Sequence, residues 1–363
     1  MSGIKLPRGE QLTNEQVDII NLPYTKDWVI SGAPGTGKTV MAIYRAGQLA
    51  RAKKVLILVY NRPLMLYLKA GVKGNAYRNC EINTYYSWVN EHFGIKCPAY
   101  DDEDGWNRLE AKARRMGKAY DHVIIDEAQD FPIQLIRTAK AISKNITCFV
   151  DPNQAIEAGK TNTIHMLNQL CIESPYELTR NFRCTKPIND LAKLFWGGEG
   201  EYADSFEPGI KPTMIKCDDY DDQTDEVCRF IEQNPEKDIG IIVNNKNLKV
   251  TYETIEDRVG HIVPVQMFKT MTSDHTTIDF DLDGVKIVSY GAMKGLEFNV
   301  VILPRFEKVR STGDAATDRN RTYVAITRAV KQLRMLYFGT RISAGWIDTM
   351  GPILKHKTLV DWK

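Results

Sequence analysis

Gly32-Ala33-Pro34-Gly35-Thr36-Gly37-Lys38-Thr39 fits the pattern G-x-x-x-x-G-K-T. Such a stretch has physical meaning when a strand precedes it and a helix follows, because backbone N–H groups and the helix N-terminus then converge on phosphate oxygens. Both conditions hold: an apolar run, Trp28-Val29-Ile30, leads to Ser31, and a helical pattern begins near Lys38. Gly32, Gly35 and Gly37 let the backbone approach a phosphate closely, with Ala33, Pro34 and Thr36 completing the cradle. The Lys38 ammonium is placed for the β- and γ-phosphates, and the Thr39 hydroxyl for Mg²⁺. The expected cofactors are ATP and Mg²⁺.

About ninety residues later, Val123-Ile124-Ile125 reads as a buried strand that carries Asp126 and Glu127 out at its C-terminal end. Open α/β sheets hold their ligands there. Asp126 is the expected Mg²⁺ ligand, and Glu127 the group that orients or deprotonates the attacking water.

Further apolar, β-branched runs occur at Val55 to Tyr60 and Ile146 to Val150, then at Ile239 to Val243, Val285 to Val288, Val300 to Leu303 and Leu333 to Phe338. Runs of this kind, separated by helical stretches such as Asp318 to Val330, are buried parallel strands. The expected fold class is α/β, with two tandem P-loop-type domains: residues 1–180 binding the nucleotide, residues 181–363 forming the second domain, and the nucleotide between them. The acidic clusters Asp101-Asp102-Glu103-Asp104 and Asp218-Asp219-Tyr220-Asp221-Asp222 are expected as solvated loops or helix starts.

With 48 basic and 46 acidic side chains among 363 residues, the net charge is +2. A nucleic-acid partner would therefore have to be held by a local groove, not by a bulk field. The seven cysteines, scattered from Cys80 to Cys228 without a Cys-x-x-Cys pair, indicate neither a disulfide framework nor a zinc centre. No apolar run approaches the roughly 18 residues of a membrane span, so the expectation is a cytoplasmic protein with no membrane partner.

Taken in order, these motifs and three later ones resemble the UvrD/Rep/PcrA group of superfamily 1 DNA helicases, from Leu12 to Ala329. The later motifs are Asn181-Phe182-Arg183, Lys294-Gly295-Leu296-Glu297-Phe298 and Tyr323-Val324-Ala325-Ile326-Thr327-Arg328-Ala329. The resemblance implies two RecA-like domains. It makes Gln16, in Leu12-Thr13-Asn14-Glu15-Gln16, the adenine contact and Gln154, in Asp151-Pro152-Asn153-Gln154, the sensor of the γ-phosphate. It further implies that Phe182 stacks on adenine, that Arg183 and Arg328 are arginine fingers, and that Glu297 contacts the ribose. Tyr60, Asn61, Arg62, Thr84, Tyr85 and Lys294 become the nucleic-acid contacts.

The chain departs from that family's pattern at Glu157, where a base-stacking tyrosine is usual, at Tyr86, where histidine is common, and at Gly291, which replaces a histidine. A lost stacking platform is worth about 1–3 kcal/mol per base. Only about 65 residues separate Asn61 from Asp126, and a βαβ unit alone uses roughly 30, so the accessory domains of relatives have little room. The expected function is a minimal ATP-driven motor on single-stranded DNA, with RNA also admissible. By resemblance it moves 3′-to-5′ and calls on a protein partner for unwinding. The alternative is an ATP-gated module that controls a partner such as a nuclease without moving a strand.

Overall fold

The computed structural model describes residues 12–72, 77–151, 163–197, 202–268, 279, 282–308, 315–339 and 344–363. They gather into two compact units that divide between Thr179 and Arg180. The first contains α1 (Asn14–Asn21), β1 (Trp28–Gly32), α2 (Lys38–Ala50), β2 (Val55–Val59), α3 (Arg62–Gly71), β3 (Cys80–Thr84) and α4 (Tyr85–Phe93). It continues with α5 (Glu103–Met116), β4 (Tyr120–Ile125), α6 (Ile133–Ile142), β5 (Ser143–Val150), α7 (Thr163–Leu170) and β6 (Tyr176–Leu178). Its six strands lie in the order β3-β2-β4-β5-β1-β6, and every pairing is parallel.

Helices packed on both faces leave such a sheet no wet side, which is why β2, Val-Leu-Ile-Leu-Val, is apolar and buried at every position. One face is filled by Trp88, Trp106, Phe131 and Leu135 packed on Leu56, Val123 and Ile146. Helix ends are written in the sequence. Asp102 caps α5 by accepting from the Gly105 N–H, and Arg114 and Arg115 sit in its last turn, where the helix dipole favours positive charge.

The second unit contains α8 (Lys186–Lys193), β7 (Thr213–Cys217), α9 (Tyr220–Glu232), β8 (Ile239–Val243), α10 (Leu248–Val259), β9 (Val265–Phe268) and β10 (Val285–Ser289). After these come β11 (Phe298–Leu303), α11 (Ala315–Ile326), β12 (Ala329–Phe338), α12 (Ala344–Lys355) and β13 (Asp361–Trp362). The sheet order is β13-β7-β12-β11-β8-β10-β9, again parallel throughout. The fold is therefore α/β in both units, as the spacing of apolar runs predicts.

Boundaries differ in places. The helix expected to run to Val330 stops at Ile326, and β12 starts at Ala329 because that residue pairs with Phe298 on β11. Thr327 and Arg328 make the turn between them. Strands β3, β6, β7, β9 and β13 carry no long apolar run and were not among the expected strands. The second acidic cluster is a helix start, with Asp219 capping α9.

One buried cation ties the first unit together. The Arg45 guanidinium, only 1% exposed on α2, donates to the carbonyls of Ile19 (3.1 Å) and Leu22 (2.9 Å) at the end of α1 and to the Thr147 hydroxyl (3.2 Å) on β5. Burial pulls its pKa down to about 10, still well above neutrality, so the charge persists and the α1 carbonyls answer it. Arg45→Leu should lower the unfolding free energy by about 1–3 kcal/mol, the scale for one buried polar group left unpaired, since the Ile19 carbonyl keeps the Leu22 N–H. A urea titration with an unchanged midpoint would show that these bonds contribute nothing.

Candidate nucleotide site

Strand β1 ends at Gly32, and the chain turns through Gly35 (φ 83°) and Gly37 (φ 92°) into α2. Both glycines occupy the left-handed region that side chains disfavour. Gly37 offers α2 no side-chain cap, and a helix start of that kind suits an anion. Gln16 reaches this loop from α1, donating through Nε2 to the Thr36 carbonyl at 3.3 Å while its Oε1 accepts from the Thr13 N–H. A Cβ at Gly37 would lie 2.7 Å from that Gln16 nitrogen, so a side chain there would push the Gln16 amide aside, on a backbone whose φ of 92° already strains it.

Lys38 is folded onto its own loop. Its ammonium donates to the Gly32 carbonyl (2.6 Å) and the Ala33 carbonyl (3.0 Å) and lies 3.5 Å from the Asp151 carboxylate. The Thr39 hydroxyl donates to Asp126 Oδ2 at 2.8 Å. Hydroxyl and carboxylate are hard oxygen donors at one point, a set that suits Mg²⁺. Asp126 has no solvent contact, and burial first, then the neighbouring Glu127 carboxylate, push its pKa up to about 7 against the opposing pull of Thr39 and Lys38. A carboxylate so placed gains from a cation.

Glu127 adopts φ 53°, a left-handed conformation for a non-glycine residue, which costs about 1–3 kcal/mol and marks sites where position outweighs comfort. Its Oε2 accepts from the Gln129 amide at 2.6 Å, and the Gln129 carbonyl oxygen accepts from the Asp151 N–H at 2.9 Å. Gln129 and Asp151 therefore belong to the constellation although the sequence reading gave neither a role. Asp151 opens the Asp151-Pro152-Asn153-Gln154 motif and Gln129 stands two residues after Glu127, and only the pairing of β5 beside β4 and β1 brings them together. Gln154 and Glu157 lie outside the described residues.

In the second unit, Arg183 Nε donates to Glu297 Oε2 at 2.7 Å, bringing together two residues 114 apart in sequence. Phe182 and Arg183 line a cavity of about 610 Å³ with Thr185, Glu207, Asn299 and Lys331, a size suited to a small molecule. Arg328 is 1% exposed and donates to the carbonyls of Val324 (3.1 Å) and Leu296 (3.0 Å). Lys294 is also buried.

The expected nucleic-acid contacts are largely engaged internally. Asn61 caps α3 by accepting from the Leu64 N–H, and Thr84 caps α4 by accepting from the Ser87 N–H. Tyr85 is buried, stacks on Tyr60 with ring centroids 5.9 Å apart, and meets Phe131 edge-on at 5.2 Å. Burial raises its phenol pKa. Arg62 is exposed at the start of α3, and Tyr86, 53% exposed, lies against Tyr85 with centroids 3.8 Å apart.

Residues 26–194 match the family "Schlafen group 3, DNA/RNA helicase domain". Residues 242–340 match the UvrD-like helicase C-terminal domain. None of the curated proteins compared matches the chain. A solved structure described as the C-terminal domain of a possible DNA helicase from Lactobacillus plantarum aligns over 50% of this chain and 97% of its own, at 17% identity and a TM-score of 0.36. No helix among the described residues is long and apolar enough to cross a membrane. Two helicase families matched in chain order, first over 26–194 and then over 242–340, bear out the UvrD-like helicase recognition made from the motifs.

Proposed function

We propose that the chain is an ATP-hydrolysing motor that moves along single-stranded nucleic acid. The observation that carries this reading is the 2.8 Å contact between the Thr39 hydroxyl and the buried Asp126 carboxylate at the mouth of a glycine-turned phosphate loop. Bound Mg²⁺ would supply positive charge shared between the phosphates and Asp126. Lys38, released from the Gly32 and Ala33 carbonyls, would place its ammonium on the outer phosphates. Glu127, fixed by the Gln129 amide, would hold the attacking water, and Gln16 would read the adenine edge.

Arg183 and Arg328 are the proposed fingers. Arg183 is the more readily recruited, since its side chain is 12% exposed and holds Glu297 at 2.7 Å, whereas Arg328 is 1% exposed and holds two backbone carbonyls inside its unit. A finger adds transition-state charge stabilisation only when it reaches the phosphate. Phe182 would stack on adenine, Glu297 would meet the ribose, and Gln154 would sense the γ-phosphate. Single-stranded DNA is the proposed track and 3′-to-5′ the proposed direction, and the nucleic-acid side would use Tyr60, Asn61, Arg62, Thr84, Tyr85 and Lys294.

A second reading, an ATP-gated module acting on a partner protein such as a nuclease, draws on one observation. Asn61, Thr84, Tyr85 and Lys294 are all buried, and the first two cap helices, so a strand would find mainly Arg62 exposed among the candidates of the first unit, with Tyr86 exposed beside Tyr85.

Steady-state ATP hydrolysis measured without polymer and with single-stranded DNA, duplex DNA or single-stranded RNA separates the two. Stimulation by one single strand supports the motor and names its track; indifference to every polymer supports the module. Lys38→Ala should lower kcat by about 10²–10³-fold or more, the scale for one preorganised charge-stabilising group, and wild-type turnover in that variant would remove the site. Arg183→Ala should keep nucleotide affinity within a few-fold while kcat falls by about 10³-fold, the lower end for an arginine finger; an unchanged kcat would end its assignment.

A further inference from the structure

At the other end of the first unit's sheet from the phosphate loop, three side chains converge that the nucleotide reading does not use. Helix α4 starts where β3 ends and runs back along it, about 13 Å for nine helical residues against about 16 Å for five extended ones. Gly94, at φ 62°, closes the helix immediately after this turn. Glu91 and His92, in the last turn of α4, are thereby returned to Glu81, near the start of β3. One ligand atom from each, two carboxylate oxygens and an imidazole nitrogen, lie within 4.8 Å of one another, and His92 Nε2 is 2.9 Å from Glu81 Oε1.

We propose that Glu81, Glu91 and His92 form a site for a divalent transition ion of the zinc class. Charge is the first argument. Two carboxylates meet one imidazole, so even a protonated ring would answer only one of them, and among the described residues neither glutamate is ion-paired with a lysine or arginine. Positioning is the second. The buried Tyr120 hydroxyl donates to Glu81 Oε2 at 2.6 Å, and the buried Asn83 amide donates to Glu91 Oε2 at 2.8 Å. Donors behind the ligands, aiming carboxylates and leaving each a further oxygen, are the usual support of a metal site.

Ligand chemistry selects the ion. An imidazole with two carboxylates suits zinc, which takes nitrogen at about 2.0–2.1 Å and oxygen at about 2.0–2.2 Å; Mg²⁺ prefers oxygen alone. Those bond lengths put tetrahedral ligands roughly 3.4 Å apart, so the 2.9 Å contact must open and the wider ones close, which rotation of the exposed Glu91 and His92 side chains allows. A bound ion would fasten α4 to the sheet-edge strand β3, and α4 begins at Tyr85 behind its cap Thr84.

The test uses the full chain freed of metal, in a Cys171→Ser background so that the exposed Cys171 thiol cannot bind in place of the site. Zn²⁺ titration by calorimetry, without nucleotide, should show one equivalent bound, with Glu91→Gln and His92→Ala each weakening affinity at least tenfold. Excess Mg²⁺ should leave that binding in place. Zn²⁺ should raise the melting midpoint of the parent and leave that of the double variant unmoved, while the metal-free midpoints agree. No bound equivalent, or one whose affinity is the same in both variants, would overturn the assignment, and neither result bears on ATP hydrolysis.

Discussion

A carboxylate cut off from water must be answered by a proton or a cation, and the first unit is arranged around that demand at Asp126. Asp126 directly follows β4 at its C-terminal end, and α2 presents the Thr39 hydroxyl to it. Thr39 supplies a donor but no charge, and the Glu127 carboxylate beside it raises the demand. The Lys38 ammonium lies close by but is committed to two loop carbonyls and to Asp151. What would settle the charge is a hard cation brought by a phosphate ligand, and the uncapped start of α2 is where such a ligand would lie.

The same region shows how far a sequence can be read. The glycine-rich turn into α2 is legible because its residues are contiguous: three glycines, a lysine and a threonine lie within eight residues, and the positive φ values fall on glycines at 35 and 37. Asp126 is legible because a carboxylate after a β-branched run lies at a strand's exit. The link from Glu127 through Gln129 to Asp151 is not, since it depends on the placement of β5 between β4 and β1. The strands that went unread fail for a related reason. Cys80–Thr84 and Thr213–Cys217 mix polar and apolar residues, and become strands by pairing with β2 and β12.

Aromatic residues mark the other limit. Tyr60, Tyr85 and Trp88 carry the composition of a base-stacking groove, yet the same rings serve equally well to cover a sheet. Trp88 is fully buried, and Tyr60 and Tyr85 pack on each other and on Phe131. Only Tyr86 in this run is well exposed. Order along the chain could suggest which motif these residues belong to, but not which of their faces meet solvent.

The close approach of Gln16 to Gly37 has a consequence for how the loop can move. A side chain at residue 37 would displace the amide that spans from α1 to the loop, and the left-handed backbone there would strain it as well. Arg45 meanwhile bolts the end of α1 to the body of α2, so α1 cannot easily back away. A change at residue 37 is therefore felt at α1, which meets the loop through Gln16 and α2 through Arg45. The loop's freedom to move is in this way tied to a helix that lies before it in the chain.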